Sequence, residues 1–432
     1  MWPTAWPGRS SDVIERCLWS DQVQLPRRPA APLPTFTDVA IIGGGYTGLA
    51  AARELARRGV DVTVLEEHQL GWGASSRNGG FVLQGFKPEM EELARMVGSD
   101  RAKRMFQLTL DAMRLLERLI SDEEIACDFS HCGALTLAAK RSHLAGLEQS
   151  AHFLRHQLRY ETELLAPADL SREIGSARYH GALLDPGGCS LQPAKYVRGL
   201  ALAAERAGAR LLEETEVTSV RKRGAVFEVQ TSRGSLRARD VLAATNGYTP
   251  PALAKLRRRV IPIGSYIIAT EPLTDEMASR LIPRGRVLSD TKNLLYYFRL
   301  SPDKRMVFGG RASFTPASPR RSAAILRNGM AEVFPELADT KVEYAWSGKV
   351  AYPMDHLPHA GQLGGIYYSM GYCGHGVALA TYLGTRMGEV IAGFSQLPDL
   401  GGKRFKAIPL FNGFPWFLPL AGGYYRMRDW LS

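Results

Sequence analysis

The stretch from Asp38 to Glu66 constrains this chain more than any other. Asp38-Val39-Ala40-Ile41-Ile42 is a β-branched run without polar alternation, as a strand buried on both faces should be. It enters Gly43-Gly44-Gly45-Tyr46-Thr47-Gly48, which contains Gly-x-Gly-x-x-Gly, and then a segment with Leu49, Ala52, Leu55 and Ala56 on one face, a helix that Gly59 ends. A second strand, from Val60 to Leu65, closes on Glu66. Each part has a physical reason. Gly43 permits a tight turn, Gly45 lets the backbone approach a pyrophosphate, and Gly48 allows close packing of helix on strand. The helix N-terminus, with Tyr46 and Thr47 in its first turn, offers N–H groups and a positive dipole end to phosphates. Glu66 is placed to accept from a ribose hydroxyl and would repel a 2′-phosphate, which argues against NADP. The spacing predicts a dinucleotide site.

The next loop decides which dinucleotide. Gly71-Trp72-Gly73-Ala74-Ser75-Ser76-Arg77-Asn78-Gly79-Gly80 is dense in glycine and small polar residues, where an ordinary NAD fold continues into another helix. Such a loop can wrap the pyrophosphate and bring backbone N–H groups against a large planar ring, which favours FAD.

These residues resemble the FAD-dependent glycine/D-amino acid oxidase (DAO) family, and the loop resembles that of its γ-glutamylputrescine-oxidising members. Further stretches are similar: Arg178 to Asp185 with Gln192-Pro193, Tyr296 to Leu300 with Phe308-Gly309-Gly310, Tyr344 to Gly348, and Gly371 to Gly376. The resemblance covers about Thr37 to the C-terminus. It implies backbone near Val217 at the adenine, Asn246 and Gly247 beside the dinucleotide, and Gly374-His375-Gly376-Val377 at the pyrimidine edge of the flavin. The implied reaction is oxidation of an amine C–N bond by hydride transfer to flavin N5, giving an imine and then an aldehyde, with O2 or another acceptor taking the electrons. His375, Arg77, Tyr266 and Tyr297 are the catalytic candidates. The cofactor-binding candidates are Gly43, Gly45, Tyr46, Thr47, Gly48, Glu66, Gly73, Ala74, Ser75, Arg77, Asn78, Gly79, Gly80, Val217, Asn246, Gly247, Gly374, His375, Gly376 and Val377.

Departures from the wider family refine this. Ala378 stands where N-methyl amino acid oxidases carry a carboxylate-clamping Lys, and there is no Lys between Arg305 and Phe314 to help oxygen react. Gly348 to Pro358 has no Cys, and Arg77-Asn78 stand where a flavin-linking His would be, so noncovalent FAD is expected. The rival enzyme reading is an amino acid or N-methyl amino acid oxidase or dehydrogenase, with a carboxylate clamp from Arg77, Arg299 or Arg311. A reading of another class is a membrane-peripheral flavin electron-transfer subunit, prompted by the aromatic, basic segment from Phe411 to Trp430.

The expected fold is α/β: a Rossmann-like FAD-binding domain of glutathione-reductase type, assembled from residues 37–85, 165–250 and 345–395. A second domain of mainly antiparallel sheet plus helices, residues 86–164 and 251–344, covers the flavin. Aromatic residues of that sheet, Tyr266, Tyr296 or Tyr297, Phe298 and Trp346, are expected to face inward. Residues 1–36, rich in Pro, read as an extended N-terminal arm, and 396–432 as a tail packed on the body. Composition narrows the remaining classes. The five Cys are scattered without a Cys-x-x-Cys pair, so no disulfide framework or metal site is expected and a cytoplasmic setting fits. No apolar run is long enough for a membrane span. The net charge of +11 is spread along the chain without aromatic interleaving, which speaks against nucleic acid and leaves a field that favours an anionic substrate group.

Overall fold

The computed structural model describes residues 13–23, 31–310, 318–400 and 404–431. Strand Phe36–Ile42 lies between Val62–Leu65 and Gly234–Ala243, parallel to both, and the sheet continues to Arg210–Leu212 on one side and Ile366–Met370 on the other. Its apolar β-branched residues are sealed on both faces. Helices Tyr46–Arg57, Pro193–Arg206, Gly376–Ile391 and Ser99–Asp122 cover one face in a single core. The antiparallel strands Val217–Arg223 and Val226–Thr231 extend from Gly234–Ala243, and a second core lies beneath them. This is the Rossmann-like half expected from the glycine motif.

Packing around the glycines is tight. A Cβ on Gly48 would overlap the carbonyl oxygen of Gly43, and a Cβ on Gly384 would overlap that of Thr47. Helix Tyr46–Arg57 is thus gripped between the first strand and helix Gly376–Ile391. The spacing Gly384-x-x-x-Gly388 is a helix-contact signal that the sequence reading passed over.

The second sheet has eight strands in the order Val342–Tyr352, Ile261–Pro272, Arg305–Gly310, Tyr296–Leu300, Val287–Asp290, Ala134–Leu137, Ala182–Asp185 and Glu163–Leu165. It is antiparallel except where Val287–Asp290 runs parallel to Ala134–Leu137. Pairing corrects the expected division of the chain in three places. Val342–Tyr352 zips along Ile261–Thr270 as the edge of this roof, and Ala182–Asp185 pairs with Ala134–Leu137 in it, although residues 345–352 and 182–185 were expected in the nucleotide domain. Helix Ser99–Asp122, assigned to the roof, buries Ala102, Met105 and Leu116 in the core of the nucleotide half. Local patterns identify strands and helices but not the sheet to which each pairs.

The expected N-terminal arm also needs correction. Residues 17–23 carry a helical turn, Leu18–Asp21, with Leu18 and Trp19 fully buried. Trp19 meets Trp346 edge-on at 6.2 Å, and Ile14 bridges to Tyr344 of the roof. Burying two such side chains outweighs the extended tendency of the prolines around them.

Candidate active site

A deep cavity lies between the two sheets, and the glycine motif forms one end of its wall. Gly43, Gly45, Tyr46, Thr47 and Glu66 line it, and so do Gly73, Ala74, Ser75, Arg77, Asn78 and Gly79 of the following loop. Val217, Asn246, Gly374, His375, Gly376 and Val377 complete the set of predicted residues that the fold brings together. Gly48, Gly80 and Gly247 stand behind the surface instead: a Cβ on Gly80 would overlap the Leu191 carbonyl, and one on Gly247 would press on Lys349 at 3.2 Å. They let other backbone approach and do not themselves line the space.

The first helix turn is arranged to receive an anion. The N–H of Tyr46 donates to Ser75 Oγ at 3.0 Å, while the amides of Gly45 and Thr47 have no acceptor among the described residues. A Cβ on Gly45 would lie 2.7 Å from Ser75 Oγ, so only glycine keeps this cradle open. Glu66 accepts from the amides of Gly44 at 2.7 Å and His68 at 3.0 Å, which fixes the carboxylate at the cavity wall. Burial raises its pKa from the usual carboxylate value, against the lowering by those two donors.

The small-residue loop is held from three sides. Asn78 shapes it internally: its Nδ2 donates to the carbonyls of Ala74 and Ser75, both at 3.0 Å, and its Oδ1 accepts from Gly80 N at 2.7 Å. The N-terminal segment holds it from outside through Cys17 Sγ to Ser76 O at 3.2 Å and Trp19 Nε1 to Asn78 O at 2.9 Å. Arg77 ties it to the roof. Its Nε donates to Trp72 O at 2.7 Å and its Nη1 to Ser347 O at 3.2 Å, with the guanidinium 4.5 Å over the Trp72 ring. Trp346 Nε1 returns a bond to Arg77 O at 3.0 Å.

Of the roof aromatics, Tyr297 reaches the cavity, its hydroxyl 2.9 Å from Ser265 Oγ and its ring edge-on to Phe81 at 5.9 Å. Tyr266 does not line it. Together with Tyr296 and Phe298 it faces the opposite side of the sheet, into the core with Phe308 and Phe334. Side chains alternate along a strand, so Ser265 inward puts Tyr266 outward. The expected inward set thus reduces to Tyr297 at the cavity, while Trp346 is buried against Trp19 and does not line it. Arg299 is corrected as a clamp candidate: it is buried behind Gly80, donating to Leu191 O at 2.8 Å, and burial pushes it down to about 10. Arg311 lies outside the described residues.

At the far wall, helix Gly376–Ile391 points its first turn at the cavity, with His375 as N-cap. Behind it, Thr47 Oγ1, the Tyr372 hydroxyl and Ser369 Oγ form a chain at 2.7 and 2.9 Å. His375 is partly open to the cavity, but its Nδ1 is sealed from solvent and without a partner. Burial, with a smaller contribution from Lys87, pushes its pKa down to about 4 from 6.5, so the imidazole is neutral at pH 7. The unfolded chain therefore takes up this proton first. The stability contributed is complete above about pH 6.5 and lost as pH falls toward 4. His375→Gln should flatten the acid limb of stability in flavin-free protein by on the order of 2 kcal/mol, allowing for partial exposure. Denaturant midpoints from pH 7 to 4 check this, and parallel curves for parent and variant would contradict it.

Sequence reasoning missed several wall residues. Lys87 and Leu83 follow the loop, Tyr248 packs against Trp72 at 5.8 Å, and Lys349 donates its amide to the Tyr248 hydroxyl at 2.9 Å. No local pattern marks them, because they reach the cavity only through tertiary packing, Lys349 by way of the roof strand Val342–Tyr352. Cys373 is the one cavity-lining cysteine among the described residues, and its Sγ donates to Gly371 O at 3.3 Å. Away from the cavity, Glu117, His131 and Cys189 place ligand-type atoms within 4.8 Å of one another. His131 Nδ1 lies 3.3 Å from Cys189 Sγ, and burial holds the thiol protonated by pushing its pKa up to about 12, so the group reads as a hydrogen-bonded pair beside a carboxylate.

Residues 38–390 match the family described as FAD-dependent oxidoreductases, the DAO family. The chain belongs to this family. FAD is its cofactor, and the protein is a FAD-dependent oxidoreductase acting on amines or amino acids. A γ-glutamylputrescine oxidoreductase of Escherichia coli is 32% identical over 91% of this chain and 93% of its own length. A probable oxidoreductase, OrdL, of Haemophilus influenzae is 34% identical over 82% and 83%. Glycine oxidase from Geobacillus kaustophilus superposes with a TM-score of 0.72 at 21% identity, covering 88% of this chain and all of that one, and so shares the DAO fold. The unpaired amides of Gly45 and Thr47, the Glu66 carboxylate and the first turn at His375 fit FAD: the amides could donate to its phosphates, the carboxylate could accept from a ribose, and the helix turn could meet the edge of the ring.

Proposed function

We propose that the protein oxidises a C–N bond of an amine bearing a carboxylate some distance from the reacting nitrogen, of the γ-glutamylputrescine kind. FAD, when bound, supplies the acceptor for the hydrogen and electron pair removed from the carbon next to nitrogen. The observation that carries the reading is the makeup of the wall supplied by the roof and by residues 81–87. Phe81, Leu83, Leu295 and Tyr297 make it largely apolar, and its full charges among the described residues are Lys87 and, on the edge strand Val342–Tyr352, Lys349, whose ammonium lies over the Tyr248 ring at 5.1 Å. An apolar wall favours the neutral amine, the form with an electron pair to give. Tyr297, fixed by Ser265, and the neutral His375 orient the substrate without needing to carry a proton. Lys87 is the group to meet the carboxylate, in the role that the absent Lys at Ala378 leaves open. Likeness to the Escherichia coli enzyme over nearly the whole chain supports the same substrate class.

Lys87→Met should raise KM for γ-glutamylputrescine about tenfold or more and leave that for an N-acylputrescine of similar length without a carboxylate unchanged. Steady-state turnover of the pair measures it, and equal losses on both would remove Lys87 from this role. We further propose that FAD is held noncovalently, in line with the bonded Cys373 thiol. Acid precipitation should leave the flavin in the supernatant, and flavin in the pellet would refute that.

A further inference from the structure

Two stretches distant in sequence meet on one side of the molecule. Lys255, Arg257, Arg258 and Arg259 belong to the short helix Ala254–Arg257 and the residues just after it. The tail beginning at Arg404 lies across them: Ile408 N donates to Arg258 O at 2.8 Å, Arg258 Nε to Phe411 O at 3.2 Å, and Arg259 Nε to Phe405 O at 2.9 Å. Ile408, Phe411 and Leu418 are buried and anchor the tail. Between and just beyond these anchors large apolar side chains point outward, with Leu410 at 87%, Phe414 at 66%, Trp416 at 56% and Leu420 at 74% exposure. No acidic residue occurs from 244 to 262 or from 404 to 428. The fold therefore joins an exposed aromatic and aliphatic patch to a field of uncompensated cations.

We propose that this surface docks the protein peripherally on an anionic lipid bilayer. Isolated exposed apolar residues are ordinary on a protein surface, but a clustered set edged by cations is not. Leu410, Phe414, Trp416 and Leu420 suit the boundary between headgroups and acyl chains, where aromatic rings favour the interface. The surrounding Lys and Arg meet lipid phosphates. A second copy is the poorer occupant, because a two-fold contact would press the cationic cluster against itself. A nucleic acid would use the cations but not the aliphatic tips. No helix of the described residues is long and apolar enough to cross a membrane, so attachment through this patch lies on the surface.

The test is co-sedimentation of the flavin-loaded full chain with vesicles of phosphatidylcholine alone and of phosphatidylcholine with phosphatidylglycerol. Two variants accompany it, Lys255→Glu/Arg404→Glu/Lys406→Glu and Leu410→Asn/Phe414→Ser, each first matched to the parent in melting temperature and flavin spectrum. Binding is expected only with the anionic lipid, weakening as salt is raised, and reduced about tenfold or more by each variant. Absence of binding to anionic vesicles at low salt would overturn the proposal, and so would binding that neither variant changes. Concentration-dependent self-association abolished by Leu410→Asn/Phe414→Ser, without vesicle binding, would assign the patch to a second copy instead.

Discussion

Gly48→Ala is expected to yield a protein that does not retain FAD. The added methyl would overlap the Gly43 carbonyl oxygen, and Ile41 Cγ2 stands 3.2 Å away on the strand side. The helix cannot retreat, because on its other side the Thr47 backbone already touches helix Gly376–Ile391 at Gly384. Relief must come from moving the turn that carries Gly43 to Gly45, and this turn forms the anion cradle. Overpacking of a sealed core costs roughly 1 to 3 kcal/mol and more where no side chain can yield. The Kd for FAD should therefore rise at least about a hundredfold, together with a lowered melting temperature. Titration of flavin-free protein by flavin fluorescence quenching measures the first effect and thermal denaturation the second. A variant purified with a full complement of flavin would show that the turn is more compliant than its packing indicates.

Arg77→Met is expected to reduce kcat by about a hundredfold while changing the FAD Kd less than tenfold. The guanidinium spans the gap between loop and roof through two carbonyls, Trp72 O and Ser347 O, while its stacking on Trp72 fixes the plane of the fork. Methionine keeps the length and some of the stacking but none of the donors. The loop would still be shaped by Asn78 and held by Trp19, so the cofactor remains bound. The distance from loop to roof, which sets how the substrate meets the flavin, loses its strut. A misplacement of about 1 Å at such a site is enough for a hundredfold loss. Arg77→Lys should rescue little, since one ammonium cannot reproduce a planar two-carbonyl bridge. Steady-state kinetics beside flavin titration separates the two quantities. An FAD Kd raised as much as kcat falls would make Arg77 a cofactor ligand rather than a positioning residue.

The nucleotide half was legible in the sequence because its signals are local. Strand, glycines, helix and Glu66 lie within one continuous stretch, and Gly43 and Gly48 are demanded by backbone carbonyls that leave no room for a Cβ. Gly374 to Val377 was legible for the same reason. The roof was only half legible. Its strands alternate in polarity, but alternation does not tell which face is inward, and so Tyr266 was placed at the cavity when its neighbour Ser265 holds that position. Register decides that question, and register depends on pairing Ile261–Thr270 with Val342–Tyr352 across many intervening residues. Lys87 and Tyr248 were invisible for a related reason, since each joins the wall through tertiary packing alone. The N-terminal segment was misread because its prolines speak for extension, whereas Trp19 acts through burial against Trp346 and a single bond to Asn78 O.

The central claim is that the cavity between the two sheets oxidises an amine with a remote carboxylate. Anaerobic mixing of the flavin-loaded protein with γ-glutamylputrescine, sarcosine, glycine and a D-amino acid tests it without reference to the final electron acceptor. Rapid loss of the oxidised-flavin absorbance with γ-glutamylputrescine, at least about a hundredfold faster than with the others, is the expected result. Bleaching by sarcosine, glycine or the D-amino acid with γ-glutamylputrescine inert would contradict it.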